Sequence, residues 1–312
     1  MRDSGEDYRL ELAFAHLAAR GLCPMTTPTI MPRLLLSVIG DEIGPTLDEM
    51  LSFCAETGVR RLEMRTLDGR NLLGMTLDEV AAIATRIHKA RITVPTFVSP
   101  VLKWPAPGKA ATTAKVDFAF DPASCPAPDP IQHAFDIALM LGATRLRIFS
   151  WLAYPHYAPA DLAPPLGKLC ALADEYGVDL QMENEPVCNV ATVADLDAVL
   201  RTFSHRRVRP LVDICNAYAH GAPPTVDDLR AVAPRTDHVH LKDRSAATGK
   251  IVTIGHGDVD FARLLPVLLA GTRSREVMAS IETHVPDDRR NATRRNVHAV
   301  RHLAEHIGAE LA

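Results

Sequence analysis

The stretch Val178-Asp179-Leu180-Gln181-Met182-Glu183-Asn184-Glu185-Pro186 begins as a strand and ends in two carboxylates and a proline. Successive side chains on a strand point to opposite faces, so Val178, Leu180 and Met182 share one face while Gln181 and Glu183 share the other. The apolar face suits a covering layer of helices. The opposite face ends in acid, which a buried strand tolerates only where something neutralises the charge.

The same unit recurs along the chain. Short β-branched runs alternate with longer segments of helical period, giving strand candidates at 34–39, 59–64, 92–98, 145–149, 178–183, 208–213, 238–242 and 277–282. Thr46-Leu-Asp-Glu49 and Thr76-Leu-Asp-Glu79 each place a hydroxyl three residues before a glutamate, the pattern of a capping box at a helix start. Gly58, Gly142 and Gly177 stand at helix ends, where a left-handed residue is easiest for glycine. Eight β/α units in succession, without a composition shift, predict an α/β chain folded as a single (β/α)8 TIM barrel over 31–312. The connections fit right-handed crossovers. An extension over 1–30 precedes the barrel. Its Leu10, Phe14, Leu17 and Ala18 fall at helical spacing, predicting an extra helix that closes the barrel bottom or forms a packing surface. The segment 99–128 is proline-rich and long for a simple connection, as lids and binding loops are.

The parity of the opening stretch extends to its neighbours. In strand six Val208, Pro210 and Val212 face out and Leu211 and Asp213 face in. In strand seven Val239 and Leu241 face out, while His238, His240 and Lys242 face in. In strand eight Val277, Ala279 and Ile281 face out and Ser280 and Glu282 face in. Glu183, Asp213, His240 and Glu282 therefore aim at the barrel axis near the C-terminal strand ends, where barrel active sites lie. Three carboxylates crowded in a low-dielectric interior repel unless protons or a cation neutralise them. With one imidazole they make a shell for a divalent ion. Oxygen donors with one nitrogen and no thiolate favour Mn²⁺, with Mg²⁺, Co²⁺ or Zn²⁺ as alternatives. The competing reading is a polar plug of satisfied hydrogen bonds.

The bulk numbers narrow the function classes. The chain has 312 residues, is 47% hydrophobic and 23% charged, and carries a formal charge of −4. It has the apolar content for a large core and no basic field to hold a phosphate backbone, so nucleic acid is not an expected partner. No run approaches the ~18 apolar residues of a membrane span. The six cysteines lack a CxxC pair, and Asp3, Glu6 and Asp7 stand where a basic leader would begin, which together predict reduced thiols and a cytoplasmic protein.

At these residues the chain resembles the sugar phosphate isomerase/epimerase family, the xylose-isomerase-like or endonuclease-IV-like barrels. The matching pieces are Gln-Met-Glu183-Asn-Glu-Pro, Val-Asp213-Ile-Cys-Asn216, His238-Val-His240-Leu-Lys242-Asp243 and Ile-Glu282-Thr-His284. The likeness extends to Glu63-Met-Arg65 with Gly69-Arg-Asn-Leu-Leu, to Ser99-Pro-Val-Leu-Lys103, and to the glycine-containing Gly255-His-Gly-Asp-Val-Asp-Phe261. It implies one Mn²⁺-like ion held by Glu183, Asp213, His240 and Glu282, with Glu183 and Glu282 also exchanging a carbon-bound proton of a sugar or related keto-polyol. The metal would stabilise an enediolate, so the resemblance implies an isomerase or epimerase. A lyase or dehydratase acting on a keto-sugar or keto-inositol, C-glycoside cleavage included, is the alternative outcome of the same enolate. A non-enzymatic sugar-binding barrel is the third. The resemblance also implies a homo-oligomer, dimer or tetramer, and leaves room for a small second subunit as in some lyase relatives.

Departures from the family pattern matter. Asn216 stands where such epimerases commonly have a histidine three residues after the aspartate, and it cannot relay a proton. The DNA-cleaving relatives use several more histidines, and here strands two and three end with Glu63 and no histidine. Further pocket residues are expected beside the metal. Arg147 faces inward as a grip on substrate oxygens. His238 either orients a ligand or is a buried histidine satisfied by its neighbours. Lys242 contacts a substrate oxygen or phosphate, or pairs with Glu185 or Asp243. His284 lies at the rim as a pocket or bystander residue. Lys103 and Trp104 cover the sugar, or Trp104 packs its loop down. Glu63 and Arg65 form a strand-end salt bridge or touch substrate.

Overall fold

A computed structural model describes residues 31–113 and 120–312. The helix expected over 7–21, like the whole extension, lies outside the described residues. Eight parallel strands build one sheet: β1 Arg33–Ile39, β2 Leu62–Glu63, β3 Thr96–Val101, β4 Arg145–Ile148, β5 Asp179–Glu183, β6 Val208–Asp213, β7 His238–Leu241 and β8 Glu276–Ile281. Their order is β2-β1-β8-β7-β6-β5-β4-β3. The β2 and β3 edges then meet through bridges at Arg61–Thr93 and Met64–Phe97, so the sheet returns on itself as a nearly closed barrel. Hydrogen bonds from Leu62 N to Thr93 O (2.9 Å) and from Val98 N to Met64 O (2.9 Å) fasten that seam.

The seam is also where the expected strand bounds fail. Strand two, read over 59–64, is regular only at Leu62–Glu63, and strand three, read over 92–98, begins at Thr96 and runs to Val101. Proline accounts for the second shift. Pro95 has no N–H to lend to a ladder, and Pro100 falls where the β3–β4 register slips between Phe97 and Val101.

Helices cover the outside: α1 Leu47–Thr57, α2 Leu77–Lys89, α3 Pro130–Leu141, α4 Ala163–Tyr176, α5 Val193–Thr202, α6 Val226–Val232, α7 Phe261–Gly271 and α8 Arg289–His306. Both expected capping boxes form, at Thr46/Glu49 and Thr76/Glu79. Gly58 and Gly177 close α1 and α4 at φ 75° and 71°, a region costly for residues with a Cβ. The outward strand residues Leu180, Met182, Val212, Val239 and Ile281 are sealed in one core with helix residues such as Leu166, Leu196 and Leu264. Each such side chain contributes roughly 1.5–3 kcal/mol by leaving water. No helix among the described residues is long and apolar enough to cross a membrane.

This sealed outer layer leaves the inward parity to polar residues, and the parallel arrangement collects the strand C-termini at one mouth. Replacing Thr76 by Ala removes the acceptor for the Glu79 N–H at the start of α2. The expected cost is ~1 kcal/mol, read as a lower denaturant midpoint with unchanged slope.

Candidate functional site

Register brings the acid together. Asp213 on β6 pairs with His240 on β7, and His240 pairs with Ser280 on β8, two residues before Glu282. Glu183 ends β5 on the far side of β6. Glu183, Asp213, His240 and Glu282 are each at most 2% exposed, and one ligand atom from each lies within 4.8 Å of the others. His240 Nδ1 is 3.1 Å from Glu183 Oε1 and 3.5 Å from Glu282 Oε2.

Permanent cations surround the cluster. Arg147 of β4, 1% exposed, donates from Nη1 to Glu183 Oε2 at 3.0 Å and from Nε to Ser99 O at 3.2 Å. Arg65 donates to Glu282 Oε1 at 2.8 Å, to Glu42 Oε1 at 2.5 Å and to both oxygens of Asp41. Lys242 Nζ lies 2.7 Å from Glu282 Oε2 and 2.9 Å from Asp213 Oδ2. The Asp213 contact is not a hydrogen bond, and among the described residues this buried oxygen has no donor. Five carboxylates (Asp41, Glu42, Glu183, Asp213, Glu282) thus meet three permanent cations (Arg65, Arg147, Lys242), an excess of two negative charges.

The protonation equilibria express that excess. Burial opposes the charge of Glu183, but His240 and Arg147 hold its pKa down to about 2. Burial, with Glu183 and Glu282 nearby, pushes Asp213 up to about 6 in spite of Lys242. Burial disfavours the His240 imidazolium, yet Glu183 and Glu282 hold its pKa up to about 10. Burial opposes ionised Glu282 as well, and Lys242 and His284 keep it well below the usual carboxylate range. Both glutamates are therefore ionised as placed. A divalent ion fits this set: taking the place of the proton on His240, it supplies the two charges that the three permanent cations leave uncovered, and the orphaned Asp213 oxygen and three carboxylate ligands suit it.

The other expected residues are placed as follows. Asn216 is buried, donating from Nδ2 to Asn184 O at 2.9 Å and to Glu183 Oε1 at 3.4 Å, and from its backbone N–H to Asp213 Oδ1 at 2.8 Å. Its place is thus against the ligands. His284, at φ 49° beyond β8, sets Nε2 2.9 Å from Glu282 Oε1 at the rim. Lys103 is buried and pairs with Glu185 at 2.8 Å. Trp104 is half-buried and packs on Phe120, with centroids 6.2 Å apart. His238 is fully buried below the cluster, bonded to Ser280.

Two pairings read from sequence are corrected. Glu63 and Arg65 do not pair: Glu63 points into the barrel, 3.3 Å from His238, while Arg65 turns across the mouth to Asp41, Glu42 and Glu282. Strand alternation would put both on one face, but the strand ends at Glu63 and Arg65 lies past it, where the chain has turned. Lys242 pairs with neither Glu185 nor Asp243, because Glu185 is taken by Lys103 and Asp243 by backbone. Four N–H groups, of Arg244, Gly255, Gly257 and Val259, reach the Asp243 carboxylate at 2.8–3.1 Å and pin the loop after β7. A Cβ on Gly257 would fall inside that carboxylate. Sequence reading also missed Asp41 and Glu42. The signal was present: an acid pair directly after β1, at the same end of the barrel as Glu183.

A closed α/β barrel with a buried carboxylate–imidazole cluster at its C-terminal mouth defines the class. The chain belongs to the xylose isomerase-like TIM barrel family, whose model matches residues 51–306. No curated protein matches it significantly in sequence. Among solved structures it is similar to the IOLI protein with a bound zinc atom (15% identity, TM-score 0.64, 88% of this chain and 98% of that one). It is similar as well to D-allulose 3-epimerase from Methylomonas sp. (14%, TM-score 0.64, 87% and 98%). A third is the probable 3-DHS dehydratase from Bacillus anthracis (15%, TM-score 0.58, 86% and 98%). At these identities the likeness is one of fold.

Arg147→Met should leave Glu183 buried without its guanidinium and lower stability by ~3 kcal/mol or more. Adding Glu183→Leu should recover most of that loss in the same denaturation assay. A double variant no more stable than the single one would show that the charge pair is not the cause.

Proposed function

We propose that this protein is a divalent-metal-dependent isomerase or epimerase of a sugar or related keto-polyol. The observation that carries this reading is the placement of Glu183 and Glu282 on either side of the Asp213–His240 pair, both buried, both ionised and each fixed by its own arginine. The resemblance of fold to an allulose epimerase supports it.

Two carboxylates so placed address opposite faces of one bound carbon. One removes the proton next to the carbonyl. The C–H electron pair becomes a carbon–carbon double bond, and the carbonyl pair moves onto oxygen, giving an enediolate. A divalent cation held by Glu183, Asp213, His240 and Glu282, with Mn²⁺ best suited to the donors, supplies positive charge against the developing oxyanion. Return of a proton to the other face inverts the carbon, and return to the adjacent carbon exchanges aldose for ketose.

The surroundings divide the work. Glu183 touches Arg147, which keeps its protons, so Glu183 is the base. Glu282 touches the ammonium of Lys242 and the imidazole of His284; the imidazole is the group able to give up a proton, so Glu282 is the side through which a proton is returned. Asn216 steadies Glu183. The same His284 favours a second reading, in which a proton goes to a leaving hydroxyl and the enolate expels water, a dehydratase outcome of the kind named for the Bacillus anthracis neighbour.

Incubation of the Mn²⁺-loaded protein with keto-sugars in deuterated water should place deuterium on the carbon beside the carbonyl, seen by NMR. Glu183→Gln should slow that exchange about 10²–10⁴-fold while the fold is kept. A product lighter by one water identifies the dehydratase, and no label or product with any keto-sugar or keto-inositol defeats both readings.

A further inference from the structure

A second polar cluster lies one layer deeper in the barrel. It consists of Glu63 on β2, His238 and His240 on β7, and Ser280 on β8, all 0% exposed. One ligand atom from each of Glu63, His238 and His240 lies within 4.8 Å of the others.

Hydrogen bonding here fixes the tautomer. Ser280 Oγ donates to Glu63 Oε1 at 2.6 Å, so its one proton is spent. His238 Nε2, 2.8 Å from Ser280 Oγ, must then be the donor of that pair. The proton of a neutral His238 ring thus sits on Nε2, and Nδ1 carries a free lone pair. Among the described residues that Nδ1 has no hydrogen-bond partner. The same is true of Glu63 Oε2 and of His240 Nε2, the ring nitrogen across from the one that faces Glu183. Three residues of one buried cluster therefore each keep an unpartnered polar atom.

Charge adds an independent requirement. Among the described residues Glu63 has no lysine or arginine within ion-pair distance, only His238 at 3.3 Å. Only the His238 and His240 rings stand against its charge, and a buried carboxylate without a permanent cation is costly. An imidazole that donates one N–H to a fixed hydroxyl–carboxylate pair while its other nitrogen is bare is oriented in the way metal-ligating histidines are.

We propose that Glu63, His238 and His240 form a second, interior divalent-metal site, stacked under the mouth cluster and sharing His240 with it. Two imidazoles and one carboxylate suit Zn²⁺ better than the oxygen-rich set above. With Nδ1 turned to the mouth set and Nε2 left for the interior one, His240 gives up both protons of its imidazolium to solvent when both sites are filled. Its negative charge and that of Glu63 then balance the second dication. Glu63 and Ser280 thus orient His238, and the interior ion sets the direction in which His240 faces the mouth.

The test uses the full chain loaded with Zn²⁺ alone and dialysed against metal-free buffer, with metal counted per chain by plasma mass spectrometry and located by anomalous scattering across the zinc edge. Two ions per chain are expected, one peak lying among Glu63, His238 and His240. Glu63→Gln and His238→Gln should each remove one ion and that peak, with unchanged circular dichroism. Asp213→Asn should lose the mouth ion and keep the interior one. A single ion lost in Asp213→Asn, with water density against Glu63, overturns the interior site and leaves the proposed function standing. Two ions retained in both interior variants overturn it as well. No ion in the wild type defeats this site and the metal-dependent reading together.

Discussion

Repulsion among carboxylates gathered at one end of a barrel is the constraint from which the rest of this site follows. Glu183, Asp213 and Glu282 sit within 4.8 Å of one another and are nearly inaccessible to water. At that spacing and depth, unpaired acids would take up protons or open the barrel. Arg147, Arg65 and Lys242 keep Glu183 and Glu282 ionised while Asp213 is pushed up to about 6, and each of the three cations comes from a different β/α unit. Arg65 also holds Asp41 and Glu42, so the first unit is tied to the last across the mouth. The counter-charges therefore serve as braces for strand ends as well as partners for acid.

The two glutamates are chemically alike and electrostatically different. Glu183 is gripped by a guanidinium and an amide, and shares the His240 imidazole with Glu282. Glu282 is surrounded by a guanidinium, an ammonium and an imidazole. The two glutamates stand on either side of the Asp213–His240 pair, and their neighbours make the two sides electrostatically unlike; under the proposed function that difference would set the direction of proton flow. Family membership leaves this undecided, because epimerases and a dehydratase share the same barrel.

The loops at the mouth are built to hold position. Leu102, Trp151 and His284 adopt left-handed backbone directly after β3, β4 and β8. Such conformations cost of order 1–3 kcal/mol each and persist only where packing enforces them. The Asp243 carboxylate, closed by four backbone N–H groups, fixes the loop after β7 without spending a side chain on it. Lys103 and Glu185 lock the loop after β3 to the one after β5.

Periodicity in the chain determined the eight-unit barrel, its helix caps and the four residues that converge at the mouth, since alternation and strand order are local properties that a closed parallel sheet preserves. The Glu183, Asp213, His240 and Glu282 set was legible for that reason. What lay beyond strand ends was not. The partners of Arg65, Lys242 and Lys103, and the entry of Asp41 and Glu42, depend on how side chains reach across the axis between units far apart in sequence. Bounds at the β2–β3 seam slipped because prolines interrupt a ladder whose register only the partner strand reveals. Which acid pairs with which cation was decided by tertiary structure alone, because long charged side chains choose partners by distance in space and not by position along the chain.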